Sequence, residues 1–294
     1  MFEDIQRNKR KSYSIVFLFI LFITLIIYFI LQYFDMGIIA LVIALSFSLI
    51  SAWASYYNSD KIILKMSHAR PATHEENQKL VNILDTLMLS SGLQYKPRLY
   101  IVNDSQPNAF ATGRNPQNAV ICVTTGLLEK LNYYELEGVI AHEMGHIKNY
   151  DIMLSAVVTV MVGFVVMLSD WFSRMIFYSR KRDDDSKGNA VLMIFGVIAL
   201  ILAPIFAKLM QLAISRKREF LADATAVEFT RNPDGLISAL KKLDSDQDEL
   251  EVANDSTAHM YIVSPFKGKT RKKKDWLSTH PSIEARIEAL RNIK

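Results

Sequence analysis

The sequence predicts a mainly α-helical chain with a small antiparallel β-sheet, held in a membrane by four helices. Three observations lead there. Of the 294 residues, 50% are hydrophobic, which is the top of the soluble range, and they gather into long runs. Four of those runs carry no charge and are long enough to enter a bilayer as helices. The remaining segments have helical spacing, broken by two short stretches rich in β-branched and aromatic residues.

The first elements are the clearest. Basic Arg7, Lys9, Arg10 and Lys11 precede an uncharged run over 13–34. That run is too long for a signal core, and no small-residue cleavage site comes after it. A second run, 36–57, begins after Asp35 alone, so the pair predicts a tight transmembrane hairpin. In "THEENQKLVNILDTLMLSSG" (73–92), Leu80, Val81, Ile83, Leu84 and Leu87 recur at helical spacing, and Gly92 stops the helix. "RLYIVND" (98–104) and "NAVICVTTG" (118–126) read as strands joined by the turn-rich "SQPNAFATGRNPQ" (105–117). Asn132 and Glu135 then have the spacing of a capping box at the start of a helix.

The runs 152–169 and 190–207 sit at the lower limit of spanning length. They are apolar on every face, and lipid tolerates Gly163, Gly196 and Pro204 better than water does, so they predict a second hairpin, with buried core helices as the competing reading. The chain therefore divides into a basic tail with its hairpin (1–57), a polar segment (58–151), the second hairpin (152–213) and a second polar segment (214–294). Each hairpin returns the chain to its starting side, so both polar segments build one domain. The N-terminal cations with Lys61, Lys65 and Arg70 place that side in the cytoplasm, although Arg174, Arg180, Lys181, Arg182 and Lys187 in the later loop dilute the bias.

Composition excludes several classes. Net charge is +4 and spread along the chain, which gives no basic patch for nucleic acid. The single cysteine, Cys122, excludes an intrachain disulfide and a Cys-cluster zinc site. The acidic stretch 244–255 lacks the Gly and the final Glu of a calcium loop. The basic "KGKTRKKKD" (267–275) reads as a solvated loop, with anionic lipid head groups as its alternative partner. His68, His74 and His259 have no partner at ligand spacing.

The chemistry centres on "HEMGH". His142 and His146 are four apart and share one helical face. Two such imidazoles bind Zn²⁺, with Glu143 placed as general base toward a metal-bound water. Val139, Ile140 and Ala141 beside them predict burial, and burying these polar groups without a metal is costly. Asn149 and Ile152 exclude the metzincin pattern. The third ligand should be a carboxylate or a histidine from the segment that the second hairpin returns to the same side of the membrane. There, in "SRKREFLADATAVEF" (215–229), Glu219 is the first carboxylate, and Asp223 one turn later suits an acceptor for a ligand's other ring N–H. A solvated face paired with Arg216 or Arg218 is the competing reading of both. A helix unbroken from His146 to Ile152 would rise only about 9 Å, placing the metal at the cytoplasmic membrane surface.

The stretches "HEMGHIKNYD", "SRKREFLADA", "QPNAFATG" and "STHPSIEARI" stand in one order along nearly the whole chain. In them the chain resembles the HtpX family of membrane-bound zinc metalloproteases, related to CAAX prenyl endopeptidases. The resemblance implies a gluzincin-type metalloprotease domain on the cytoplasmic side, with one Zn²⁺ per chain held by His142, His146 and Glu219 and with Glu143 as catalytic base. It implies Asn108 near the substrate backbone, where the residues alone give a turn or edge-strand asparagine. An exposed strand edge there would hold an extended substrate by β-augmentation. It implies His280 near the metal as an oxyanion donor, where the residues alone give an exposed histidine before a helix capped by Ser278 or Thr279. The expected function is zinc-dependent proteolysis of misfolded or damaged membrane proteins at the cytoplasmic face, with polypeptide substrates and the lipid bilayer as partners. CAAX-type processing of prenylated peptides and a catalytically silent zinc-binding scaffold are the alternatives.

Overall fold

The computed structural model describes residues 2–32, 35–179, 215–253, 256–266 and 281–293. The first two apolar runs form α1 (Phe2–Gln32) and α2 (Gly37–Tyr57), which pack on one another across a turn at Asp35 and Met36. They contain candidate spans Ile5–Tyr28 and Gly37–Tyr57, with mean hydropathies of 2.1 and 2.2. Phe17, Ile38 and Trp53 stand more than half exposed on their outer faces. Contiguous apolar surface of this kind marks a membrane-facing side.

The short α3 (Ser59–Met66) leads into β1 (Arg70–Pro71) and then α4 (His74–Ser91). In α4 a capping box of Thr73 and Glu76 starts the helix, and Gly92 at φ +67° ends it. Leu80, Ile83, Leu84 and Leu87 turn inward to the main core, as their spacing predicts.

The sheet corrects the antiparallel expectation. Strands β2 (Arg98–Val102), β3 (Ala109–Thr112) and β4 (Val120–Thr124) join β1 in the order β1-β2-β4-β3. β1 pairs with β2, and β3 with β4, antiparallel, but β2 runs parallel to β4. The cause is β3, which lies inside the stretch expected to be only a turn-rich connection. Its "AFAT" has weak strand propensity, yet all four residues are buried against β4, and burial outweighs propensity in a strand. With β3 folded to the outside, residues 103–119 become the crossover that a parallel pair requires.

After α5 (Thr125–Lys130), Asn132 and Glu135 form the expected capping box at the start of α6 (Tyr133–Lys148). α6 is enclosed by α4, β3 and two later helices, α8 (Arg216–Thr230) and α9 (Pro233–Ser245). Small residues allow this approach. A Cβ on Gly138 would lie 2.8 Å from the backbone nitrogen of Leu236, and one on Gly235 would lie 2.6 Å from the carbonyl of Tyr134.

α6 does not run on into the next apolar segment. Tyr150 adopts φ +60°, and α7 (Asp151–Ser179) leaves at 83° to α6. The continuous helix expected from His146 to Ile152 is therefore replaced by an elbow at residues 149–151. The expected span 152–169 lies within α7, whose first turns bury Leu154, Val157, Val158, Met161 and Val162 against Ile15 of α1. The expected span 190–207 lies outside the described residues, so two of the four expected membrane helices stand as candidate spans among them. The chain ends with α10 (Ile283–Arg291), capped by Ser282, whose hydroxyl accepts from the Ala285 N–H. The cap is Ser282 because it is the residue next to the first helical turn, and not Ser278 or Thr279.

Replacing Gly138 by Ala forces a methyl into the α9 backbone and should cost about 1–3 kcal/mol. Thermal unfolding in detergent measures this, and Gly138→Ala should melt below the parent chain.

Candidate metal centre

Three elements bring the site together. α6 presents His142, Glu143 and His146 from successive turns, α8 brings Glu219 and Asp223, and the first residue of α7 is Asp151. His142 and Glu143 are buried to within 1% of full occlusion, while the side chains of His146 and Glu219 keep 16% and 12% exposure. The site is thus closed on the α6 side and opens past His146 and Glu219.

Both histidines are oriented by carboxylates. His142 Nδ1 meets Asp223 Oδ1 at 2.9 Å, and His146 Nδ1 meets Asp151 Oδ2 at 3.0 Å. Each ring then turns Nε2 toward the other, and the two Nε2 atoms are 3.2 Å apart. Glu219 oxygens lie 3.7 Å from His142 Nε2 and 3.6 Å from His146 Nε2. Tetrahedral bonds of ~2.0–2.1 Å separate neighbouring ligand atoms by about 3.4 Å. The Nε2–Nε2 edge is close to that figure, Glu219 meets His142 through Oε2 and His146 through Oε1, and the three residues form a group able to hold a metal ion. Two imidazoles with one carboxylate suit zinc and leave a fourth position open.

The buried charges close into one network. Arg286 of α10 has no exposed surface. Its Nε and Nη2 donate to the two carboxylate oxygens of Asp223 at 2.8 and 2.6 Å, and its Nη1 donates to the carbonyl of Ile262 at 3.0 Å. Burial would raise the Asp223 carboxyl, but the Arg286 charge outweighs it and holds the group below the usual range. Burial and the same guanidinium lower His142 to about 4, so His142 is neutral with its proton toward Asp223. At His146 burial disfavours the charged ring, yet the Asp151 hydrogen bond and the Glu219 charge raise it to about 9. Burial lifts Glu143 to about 7, opposed by His146 and by the Ala111 N–H, which donates to its carboxylate, and aided by Glu219.

Asn108 and His280 complete the set of expected residues. Asn108 is fully buried. Its Nδ2 donates to Gln106 Oε1 at 3.0 Å and to the Val263 carbonyl at 3.2 Å, and its Oδ1 accepts from the Ala109 N–H at 3.1 Å. The outer side of β3 is also used at Ala109, whose carbonyl accepts from Ile262 N–H at 3.0 Å. The side chain of Asn108 thus fastens residues 261–263 to β3, and the point where the strand edge meets Glu143 is Ala111. His280 lies outside the described residues. Two members of the network, Asp151 and Arg286, received no role from sequence reasoning. Both stand within quoted motifs, "HIKNYD" and "SIEARI", and an acidic residue five after a ligand histidine was the available signal for Asp151.

These charges have two measurable consequences. In the metal-free chain His146 remains protonated up to about pH 9, so a zinc ion taking its Nε2 must displace that proton. Calorimetric zinc titration at pH 7.5 in two buffers of unlike ionisation enthalpy should report release of about one proton, decreasing as the pH rises past 9. Arg286→Met leaves Asp223 charged and unpaired in the interior and should cost about 3–5 kcal/mol, measured by denaturant unfolding in detergent.

Comparison with known proteins places the chain in a family. Residues 74–294 match the model of peptidase family M48. A "Protease HtpX homolog" of Dictyoglomus turgidum is 44% identical over 290 residues, covering 99% of this chain and 94% of that protein. Those of Thermoanaerobacter pseudethanolicus and Streptococcus gordonii are 42% and 40% identical, each covering 100% of this chain and at least 98% of the relative. Among solved structures, the crystal structure of S. mikatae Ste24p aligns at a TM-score of 0.49 and 18% identity, covering 99% of this chain and 67% of that one. With a family match over most of its length and HtpX relatives alignable from end to end, the chain belongs to peptidase family M48.

Proposed function

We propose that the chain is a multi-pass, zinc-dependent membrane endopeptidase whose catalytic domain, built from residues 58–151 and 214–294, faces the cytoplasm. The observation that carries the activity is the set of three donors gathered around one point, His142, His146 and Glu219, beside the buried carboxylate of Glu143. Curated relatives named as proteases support the reaction class. The basic residues before the apolar run of α1, with Lys61, Lys65 and Arg70, support the cytoplasmic orientation.

Zinc held by these donors supplies a Lewis acid for the scissile carbonyl and acidifies a water at the open position. His142 and His146 keep their Nε2 lone pairs aimed at one point because Asp223 and Asp151 hold their Nδ1 protons. Glu143 accepts the proton of the attacking water and passes it to the leaving amine. The Ala111 N–H orients the Glu143 carboxylate, and the substrate backbone lies extended beside β3 at that point. Asn108 acts from behind this edge, by fixing the segment that braces it. His280 is assigned the oxyanion contact.

The substrates we assign are misfolded or damaged membrane proteins. Support comes from the elbow that sends α7 away directly after the metal-binding helix, and from the apolar exposed faces of α1 and α2. Glu143→Gln should retain zinc and lower the turnover of an unprenylated membrane-protein substrate by about 10²–10⁴-fold. Unchanged turnover in that variant overturns the role of Glu143. Cleavage of a farnesylated peptide, with none of the unprenylated protein, would replace the substrate class with prenylated peptides.

A further inference from the structure

The N-terminal end of α1 reaches the candidate metal centre. Asn8 stands two turns into the helix, ahead of the apolar run, and is only 3% exposed. Its Nδ2 donates to Asp151 Oδ1 at 2.7 Å and to the Asn149 carbonyl at 3.2 Å. Asp151 turns its other oxygen, Oδ2, to His146 Nδ1 at 3.0 Å. One carboxylate therefore joins the first membrane helix to a candidate zinc ligand.

The neighbours of Asn8 bear on the same place. Lys9 sets its ammonium 4.2 Å from the centre of the Tyr150 ring, at the residue that holds φ +60°. A bulky side chain in the left-handed region is unfavourable and persists only when its surroundings over-determine it. Asn8 on the Asn149 carbonyl and Lys9 on the Tyr150 ring supply that constraint from α1. Arg218 also faces Asp151, with Nε 3.8 Å from Oδ1, which is beyond hydrogen-bond reach. Asn8 makes the short contact.

We propose that Asn8 is a positioning residue of the metal centre: by donating to Asp151 Oδ1 and to the Asn149 carbonyl, it fixes the carboxylate that orients His146. This rests on the reading of His142, His146 and Glu219 as zinc ligands. The first membrane helix is on this account part of the ligand-holding structure as well as an anchor. A partner that orients a ligand directly is worth about 10–100-fold in metal affinity. Asn8 acts one bond further out, and its loss should weaken zinc by roughly 3–10-fold on the same scale.

The test is chelator competition for zinc on the full chain in detergent, with cobalt absorption as a second readout. Asn8→Ala should weaken zinc by roughly 3–10-fold and alter the cobalt band shape. Asn8→Leu, of similar size and good helix propensity, is the second variant should the alanine chain fail to fold. Ser12→Ala, one turn along α1 and without contact to Asp151, should leave both readouts at the parent values. In an Asp151→Ala background the effect of Asn8→Ala should vanish, because the two residues act through one contact. Parental zinc affinity in both Asn8 variants overturns the proposal. So does an equal loss with and without Asp151, which would mark general destabilisation. Zinc uptake by the parent chain that survives His142→Ala overturns the ligand reading itself, and with it the inference.

Discussion

Two imidazoles and two glutamates crowded around one point can stay inside a protein only if every charge among them is matched. That constraint organises the molecule around α6. Neutral His142 requires an acceptor at Nδ1, which is Asp223. Asp223 in turn requires a cation, and Arg286 fills that need with two donors while its third satisfies the Ile262 carbonyl. Breaking such a buried pair strands a charge in low dielectric. This is why the far C-terminal helix, α10, is tied to a site whose candidate ligands lie on α6 and α8.

The same constraint explains the tightness of the packing. Glycines 138 and 235 let the α9 backbone meet α6, and Gly145 would place a Cβ 3.2 Å from the Ala222 carbonyl of α8. Ligand atoms 3.2 to 3.7 Å apart leave little room for helix displacement. Close backbone contact supplies the rigidity that preorganised metal sites need. The elbow after α6 serves this geometry too. A helix running straight past Asn149 would carry Asp151 along the axis. The left-handed turn at Tyr150 instead brings Asp151 back to His146 Nδ1, and it aims α7 toward α1.

The fold was legible where local physics decides. Length and uniform apolarity gave α1 and α2, apolar spacing with a closing Gly92 gave α4, and the capping box of Asn132 and Glu135 gave the start of α6. It was less legible where long-range pairing decides. "AFAT" has too little strand character to announce β3, and the parallel pairing of β2 with β4 depends on where β3 lies. Of the site, His142, Glu143 and His146 were readable because their spacing is one turn of a single helix. Glu219 and Asp223 were readable as one helical face after the second hairpin, with a solvated face paired to Arg216 or Arg218 as the competing reading. Asn108 was read as a substrate-side residue. Its burial and its bond to Val263 come from a segment about 155 residues away, which no local pattern reveals.

By itself the sequence determined the helix that carries His142, Glu143 and His146, the apolar helices and the kind of donors available, because each depends on neighbours within a few residues. The tertiary structure alone decided which carboxylate serves which ring. Asp223 goes to His142 because α8 packs across α6, and Asp151 goes to His146 because the chain turns by 83° between them. Arg286 and Asn8, 144 and 134 positions from His142, reach the site from opposite ends of the chain. Sequence separation of that size carries no periodicity to read. The short range of hydrogen bonds and ion pairs in the interior makes their partners a matter of packing.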